Sequence, residues 1–166
     1  VDEAPEVNGA LKAVTAIKGV AMINVEGKGM IGVPGIAART FGAVARLDVS
    51  VLLITQASSE QSITFIVPEA SAPAVVAGLE GEFAAELQRR DIERVWLRDA
   101  VAIVTIVGAG IQTTPGIAGR IFSALGEQRV NVIAIAQGSS ECSISLVVAA
   151  EDVGRAVEHI HGLIVR

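Results

Sequence analysis

A gapless internal repeat constrains this chain more than any other feature. Residues 20–67 align with residues 101–148 at a constant offset of 81. Gly27 and Gly29 meet Gly108 and Gly110, and Pro34-Gly35-Ile36-Ala37 meets Pro115-Gly116-Ile117-Ala118. Arg39 and Phe41 meet Arg120 and Phe122, and Gln56 with Ser58-Ser59-Glu60 meets Gln137 with Ser139-Ser140-Glu141. Self-similarity at a fixed offset marks one unit used twice.

Both copies predict the same order of elements. Residues 20–25 and 101–107 are apolar, β-rich runs that end at Gly-x-Gly, as buried strands do. Gly35 and Gly116 open amphipathic segments, with Ile36, Thr40, Phe41, Val44 and Leu47 at helical spacing in one and Ile117, Ile121, Phe122 and Leu125 in the other. Pro34 and Pro115 stand just before the first turn, where a missing N–H costs nothing. Two strands follow in each copy, 49–55 with 62–67 and 131–136 with 143–148, joined by the polar Gln-x-Ser-Ser-Glu. Second helices are expected over 72–90 and 151–160.

The first copy closes with a strand at 92–97, whereas the second has only Leu163-Ile164-Val165 before the sequence stops. Residues 10–17 form an unclaimed alternating strand, which is expected to complete the second sheet. The predicted fold is therefore α+β, two ferredoxin-like βαββαβ modules side by side. Their strands are expected to form one eight-stranded, mostly antiparallel sheet with helices on one face. Residues 19–98 make the contiguous first module, and 8–18 with 99–166 make the discontinuous second. Sheets with open edges favour dimerisation of the whole chain.

Charge and composition exclude several functions. A net charge of -5 and the lack of a basic stripe argue against nucleic acid. Cys142, the single cysteine, rules out an internal disulfide and a Cys-based metal cage, as suits a reducing, cytoplasmic compartment. The apolar stretches are too short to span a bilayer. The opening Val1-Asp2-Glu3 lacks Met, so the chain is expected to be a piece of something longer.

The residues between Gly35 and Phe41, between Leu53 and Glu60, and between Ile135 and Glu141 resemble the paired ACT domains of aspartate kinases. The likeness is closest to the threonine-sensitive bifunctional aspartokinase–homoserine dehydrogenases, and it covers roughly residues 10–162. It implies an allosteric sensor of an aspartate-family end product, threonine before lysine, acting by feedback on aspartate phosphorylation. It also implies a homodimer and a kinase domain elsewhere in the parent chain as partners, and no cofactor. A stand-alone sensor or a structural dimerisation module acting on a separate enzyme is the alternative. The fragment itself is expected to have no catalytic activity, because no acid, base and nucleophile constellation survives inspection.

A free amino acid needs partners for its carboxylate, its ammonium and its side chain. Helix N-termini supply unpaired N–H groups for the first, and amide side chains suit the others. In the first copy this nominates Met30, Val33, Gly35, Ile36, Ala37 and Gln56. In the second it nominates Ile111, Thr114, Gly116, Ile117, Ala118 and Gln137. The resemblance adds the strand-start residues Ser50, Val51 and Leu52, with Asn131, Val132 and Ile133, and implicates both glutamines in threonine response.

Other motifs have simpler readings. Gly27-Lys28-Gly29-Met30-Ile31-Gly32 matches a dinucleotide fingerprint, but its repeat mate loses the third glycine and Asp48 is misplaced for a ribose. Ser58 and Ser59 lack a histidine base and suit a hairpin turn. Glu60 and Glu141 are candidate partners of Arg39 and Arg120. His159 and His161 point different ways on a helix, so no metal site is expected. Cys142 is expected to pack as a small hydrophobe, and Trp96 to end a strand at an interface.

Overall fold

The computed structural model describes residues 9–56, 61–138 and 142–164. The elements are β1 (Ala13–Glu26), α1 (Ile36–Arg46), β2 (Leu53–Gln56), β3 (Ser62–Pro68), α2 (Ala72–Glu82), α3 (Ala84–Arg89), β4 (Arg94–Val107), α4 (Ile117–Glu127), β5 (Val132–Ala136), β6 (Ser143–Ala149) and α5 (Val153–Ile164). Backbone contacts divide the chain into two compact units. One is Gly19–Val101; the other joins the described residues of 1–18 to those of 102–166.

In the first unit the strand order is β2-β3-β1-β4. Ile23 of β1 lies opposite Phe65 of β3, and Gln56 of β2 lies opposite Ile63, both in antiparallel register. Ala21, Ile23 and Val25 alternate along β1, as do Ile63, Phe65 and Val67 along β3. These side chains join Val44 of α1, Val75 and Leu79 of α2, and Phe83 in one core. A pleated strand turns alternate side chains to one face, so both helices cover the same face of their sheet.

The second unit repeats the plan with strand order β5-β6-β4-β1. Ala102, Val104 and Ile106 of β4 pack with Ile144, Leu146 and Val148 of β6 beneath Ile121 and Leu125 of α4 and Ala156 and Ile160 of α5. Ala10 and Leu11 belong to this core.

Six strands are described where eight were expected. The expected strands at 10–17 and 20–25 are one strand, β1, and those at 92–97 and 101–107 are one strand, β4. Each runs from one unit into the other. Their bounds differ by the same offset of 81, so the repeat begins near residue 10 rather than at 20. At equivalent positions where each strand leaves one unit for the other, Gly19 and Ala100 turn through the left-handed region, with φ of 69° and 50°.

Other differences from expectation are local. The helix expected over 151–160 runs on through Leu163 and Ile164 as α5. β2 begins at Leu53, later than residue 49, although the Leu52 amide already bonds to the Ile66 carbonyl at 2.8 Å. The long helix over 72–90 breaks at Phe83 (φ −104°, ψ 22°) into α2 and α3. The Arg39 guanidinium occupies that break. It donates to the Glu82 carbonyl at 2.8 Å, to the Glu82 carboxylate at 2.9 Å and to the Glu86 carboxylate at 2.5 Å, and lies 4.7 Å over the Phe83 ring.

These bonds from Arg39 hold both carboxyls below their ordinary range. A depressed carboxyl pKa stabilises the fold above the unfolded value of 4.5 and loses that contribution as pH falls through the folded value. Urea unfolding should therefore show wild type weakening from pH 7 to below pH 4.5 more steeply than Arg39→Met. Equal slopes for the two proteins would refute the assignment.

The repeated Gly-x-Gly has a steric cause. A Cβ on Gly27 would lie 2.6 Å from the Cα of Ile92, and one on Gly29 2.5 Å from the Cα of Asp91. In the second unit, a Cβ on Gly108 would lie 2.7 Å from the Cα of Leu11, and one on Gly110 2.7 Å from the Cα of Ala10. The glycines admit the chain that leads into each closing strand, which accounts for the motif without a nucleotide.

Candidate functional site

The start of α1 borders a concavity in the first unit. Gly35 caps the helix in the left-handed region (φ 88°), a conformation that glycine adopts without strain. No side chain caps this N-terminus and its first turn holds no acid, so the free N–H groups remain available to an anion. The preceding loop is closed by the Val33 amide bonding to the Met30 carbonyl at 3.2 Å, with Gly32 at φ 67°.

Met30, Gly32, Val33, Pro34, Gly35, Ile36, Ala37, Gln56 and Ile63 enclose a cavity of about 310 Å³. Met30, Ile36 and Ile63 are buried floor residues shared with the core, while Val33 is 47% exposed. Gln56 stands at the end of β2 as the one amide side chain in this lining. All nine residues are uncharged.

The structure thus gathers Met30, Val33, Gly35, Ile36, Ala37 and Gln56 around one space. Ser50, Val51 and Leu52 do not line it; Val51 packs against the core, and Ser50 and Leu52 are exposed. Sequence reading missed Gly32, Pro34 and Ile63. Ile63 was recoverable from the hairpin register, since it is the direct partner of Gln56.

The second unit has the same helix start, with Gly116 at φ 85° and no side-chain cap on α4. Its loop takes another route. Thr113, the mate of Gly32, does not adopt the left-handed turn, and the Thr114 amide bonds back to the Gly110 carbonyl at 2.8 Å. Ile111 and Ile117 are buried, Thr114 is half-buried, and Gly116, Ala118, Asn131 and Gln137 are exposed. Val132 and Ile133 instead line an apolar groove of about 400 Å³ with Phe122, Ala134 and Ile135. In the first unit Phe41, the repeat mate of Phe122, stands edge-on to Phe65 at 5.4 Å. Leu146 stands where Phe65 does in the repeat, so Phe122 has no such aromatic partner.

Two further expectations resolve differently, those for Cys142 and Trp96, and one falls on residues outside those described. Arg39 is engaged by Glu82 and Glu86, and the proposed partners Glu60 and Glu141 lie outside the described residues, as do Ser58, Ser59, Ser139 and Ser140. Cys142 is exposed rather than packed; it stands just before β6, and its carbonyl accepts from the Gly108 amide at 2.8 Å. Trp96 lies inside the continuous β4, with the Arg94 guanidinium 5.1 Å over its ring. His159 bonds to the Arg155 carbonyl at 2.9 Å. Among the described residues there is no metal-competent cluster of His, Cys, Asp or Glu, and no helix is long and apolar enough to cross a membrane.

Comparison with known proteins places this geometry. The family profile described as ACT domain matches twice, at residues 23–83 and 104–163. The chain belongs to the ACT-domain family. Its ACT repeats are 44% identical over 151 residues to the bifunctional aspartokinase/homoserine dehydrogenase of Haemophilus influenzae, covering 91% of this chain and 18% of that protein. The chloroplastic enzyme of the same name from Daucus carota is 42% identical over 151 residues, covering 91% and 16%. The chain therefore spans less than a fifth of these relatives. The ligand-free regulatory subunit of aspartate kinase from Thermus thermophilus superposes with a TM-score of 0.77 at 30% identity, covering 93% of this chain and 98% of that one. The ACT pair described here is a regulatory region of the aspartate kinase kind.

Proposed function

We propose that a free amino acid, threonine in preference to lysine, occupies the cavity at the start of α1 and sets the activity of an aspartate kinase by feedback. The cavity carries this reading. It combines an uncapped helix N-terminus for a carboxylate, the Gln56 amide for an ammonium or hydroxyl, and an apolar wall for a short side chain. Threonine presents those three groups. The ε-ammonium of lysine would meet uncharged side chains throughout this lining, and an unpaired charge is costly to desolvate.

Each compact unit is read as one ACT module, residues 19–98 and residues 8–18 with 99–166. The second helix start, with Ile111, Thr114, Gly116, Ile117, Ala118, Asn131, Val132, Ile133 and Gln137, is a second and weaker site, since its loop is rearranged. Leu52 and Ile54 beside one sheet edge and Ile135 on the other are exposed. Such edges suit pairing with a second copy, so a homodimer is the working assembly, attached to a kinase domain. The effector acts through unequal affinity for two states of that assembly.

Thermal unfolding against threonine, lysine, methionine and isoleucine tests the reading. Threonine at one hundred times its dissociation constant should stabilise the protein by about 2.7 kcal/mol, a shift of several degrees. Gln56→Ala with Gln137→Ala should remove that shift while leaving the ligand-free Tm in place. A shift with lysine alone would reassign the effector, and no shift with any amino acid would sink the sensor.

A further inference from the structure

We infer that Val33 is the residue that reads the effector's side chain, and that changing it alone redirects the specificity of the first unit. The inference rests on the effector reading above and sharpens it. Six apolar side chains line the cavity; Pro34, Ile36 and Ala37 belong to the helix start that would hold the carboxylate, which leaves Met30, Val33 and Ile63 for the variable part of a ligand. Two of them are not free to vary. Met30 is 4% exposed and Ile63 1% exposed, and both belong to the core of the unit, so its packing fixes their size.

Val33 is different. Nearly half of it is exposed, and it is absent from that core, yet it lines the cavity. Its backbone is held independently of its side chain, by the turn to the Met30 carbonyl, the left-handed Gly32 before it and the fixed φ of Pro34 after it. A large apolar side chain so held has no packing duty in the unit. Its chemistry is therefore free to be matched to a ligand, and the repeat mate, Thr114, shows a different choice at the same position.

The test is titration calorimetry of wild type, Val33→Ala and Val33→Asp against threonine, valine and lysine at neutral pH. Thermal melts accompany it and are expected to be unchanged, because the position is exposed. A methylene in an apolar pocket is worth roughly tenfold or more, so Val33→Ala should weaken threonine and valine by about tenfold and leave lysine alone. Val33→Asp should shift the lysine-to-threonine preference toward lysine by tenfold or more. If wild type binds threonine and both variants keep its affinities and ranking, the inference is overturned while the effector site stands. If wild type binds none of the three, the effector reading falls and takes this inference with it.

Discussion

Gly108→Ala is expected to unfold the second unit, at a cost above about 4 kcal/mol, the range reserved for backbone clashes and lost cores. The new Cβ would lie 2.7 Å from the Cα of Leu11 and would also meet the Ala10 carbonyl. Neither is a flexible side-chain end that can swing away. Lys12 is fastened to the Val107 carbonyl at 2.7 Å and the Gly110 amide to the Ala10 carbonyl at 3.1 Å, so relief requires breaking both. Ala10 and Leu11 would leave the core as well. Gly27→Ala should do the same to the first unit through Ile92. Gly126→Ala, in α4 with open space around it, is the control and should stabilise by about 0.5–1 kcal/mol. Urea unfolding of the three variants is the measurement. A Gly108→Ala protein as stable as wild type would mean that the chain does not cross there.

Deleting residues 1–18 is expected to have a comparable effect, confined to one unit. The described residues of that segment supply Ala10, Leu11 and the first half of β1, which completes the second sheet beside β4. Without them β4 gains an unpaired edge, and Ile106, Ile111 and Ile144 lose neighbours in their core. The Gly19–Val101 unit keeps all of its strands. Amide exchange should show protection retained through β2 and β3 and lost through β5 and β6. Uniform loss, or none, would contradict the division into two units.

Much of this was legible in the sequence because the repeat supplied two readings of every element. The Pro-Gly-Ile-Ala helix starts, the paired hairpin strands and the cluster from Met30 to Ala37 with Gln56 are set by local patterns that recur in both copies. What escaped notice depends on partners distant in sequence. The continuity of β1 through Gly19 and of β4 through Ala100 was hidden, since a glycine and a charged Arg98-Asp99 pair read as breaks. The partners that Arg39 does have escaped notice for a similar reason. Glu60 repeats with it in sequence, but Glu82 and Glu86 reach it because α1 packs beside α2. The different loop before α4 goes with Thr113 in place of the left-handed Gly32, a backbone difference that no periodicity reports.

The path of β1 and β4 also sets an order of events as the chain folds. The first unit is one uninterrupted stretch, Gly19–Val101, and its contacts can form as soon as that stretch exists. The second must bring the strand before residue 19 to partners after residue 101, closing a loop that contains the whole first unit. Closing so long a flexible loop is entropically unfavourable, and contacts of high sequence separation form slowly. Once the first unit has folded, β1 and β4 are already neighbours within it, and the loop has become a short, stiff staple. The first unit thereby acts as a template for the second, and on a ribosome the N-terminal strand must wait, unpaired on its outer half, until the last third of the chain emerges.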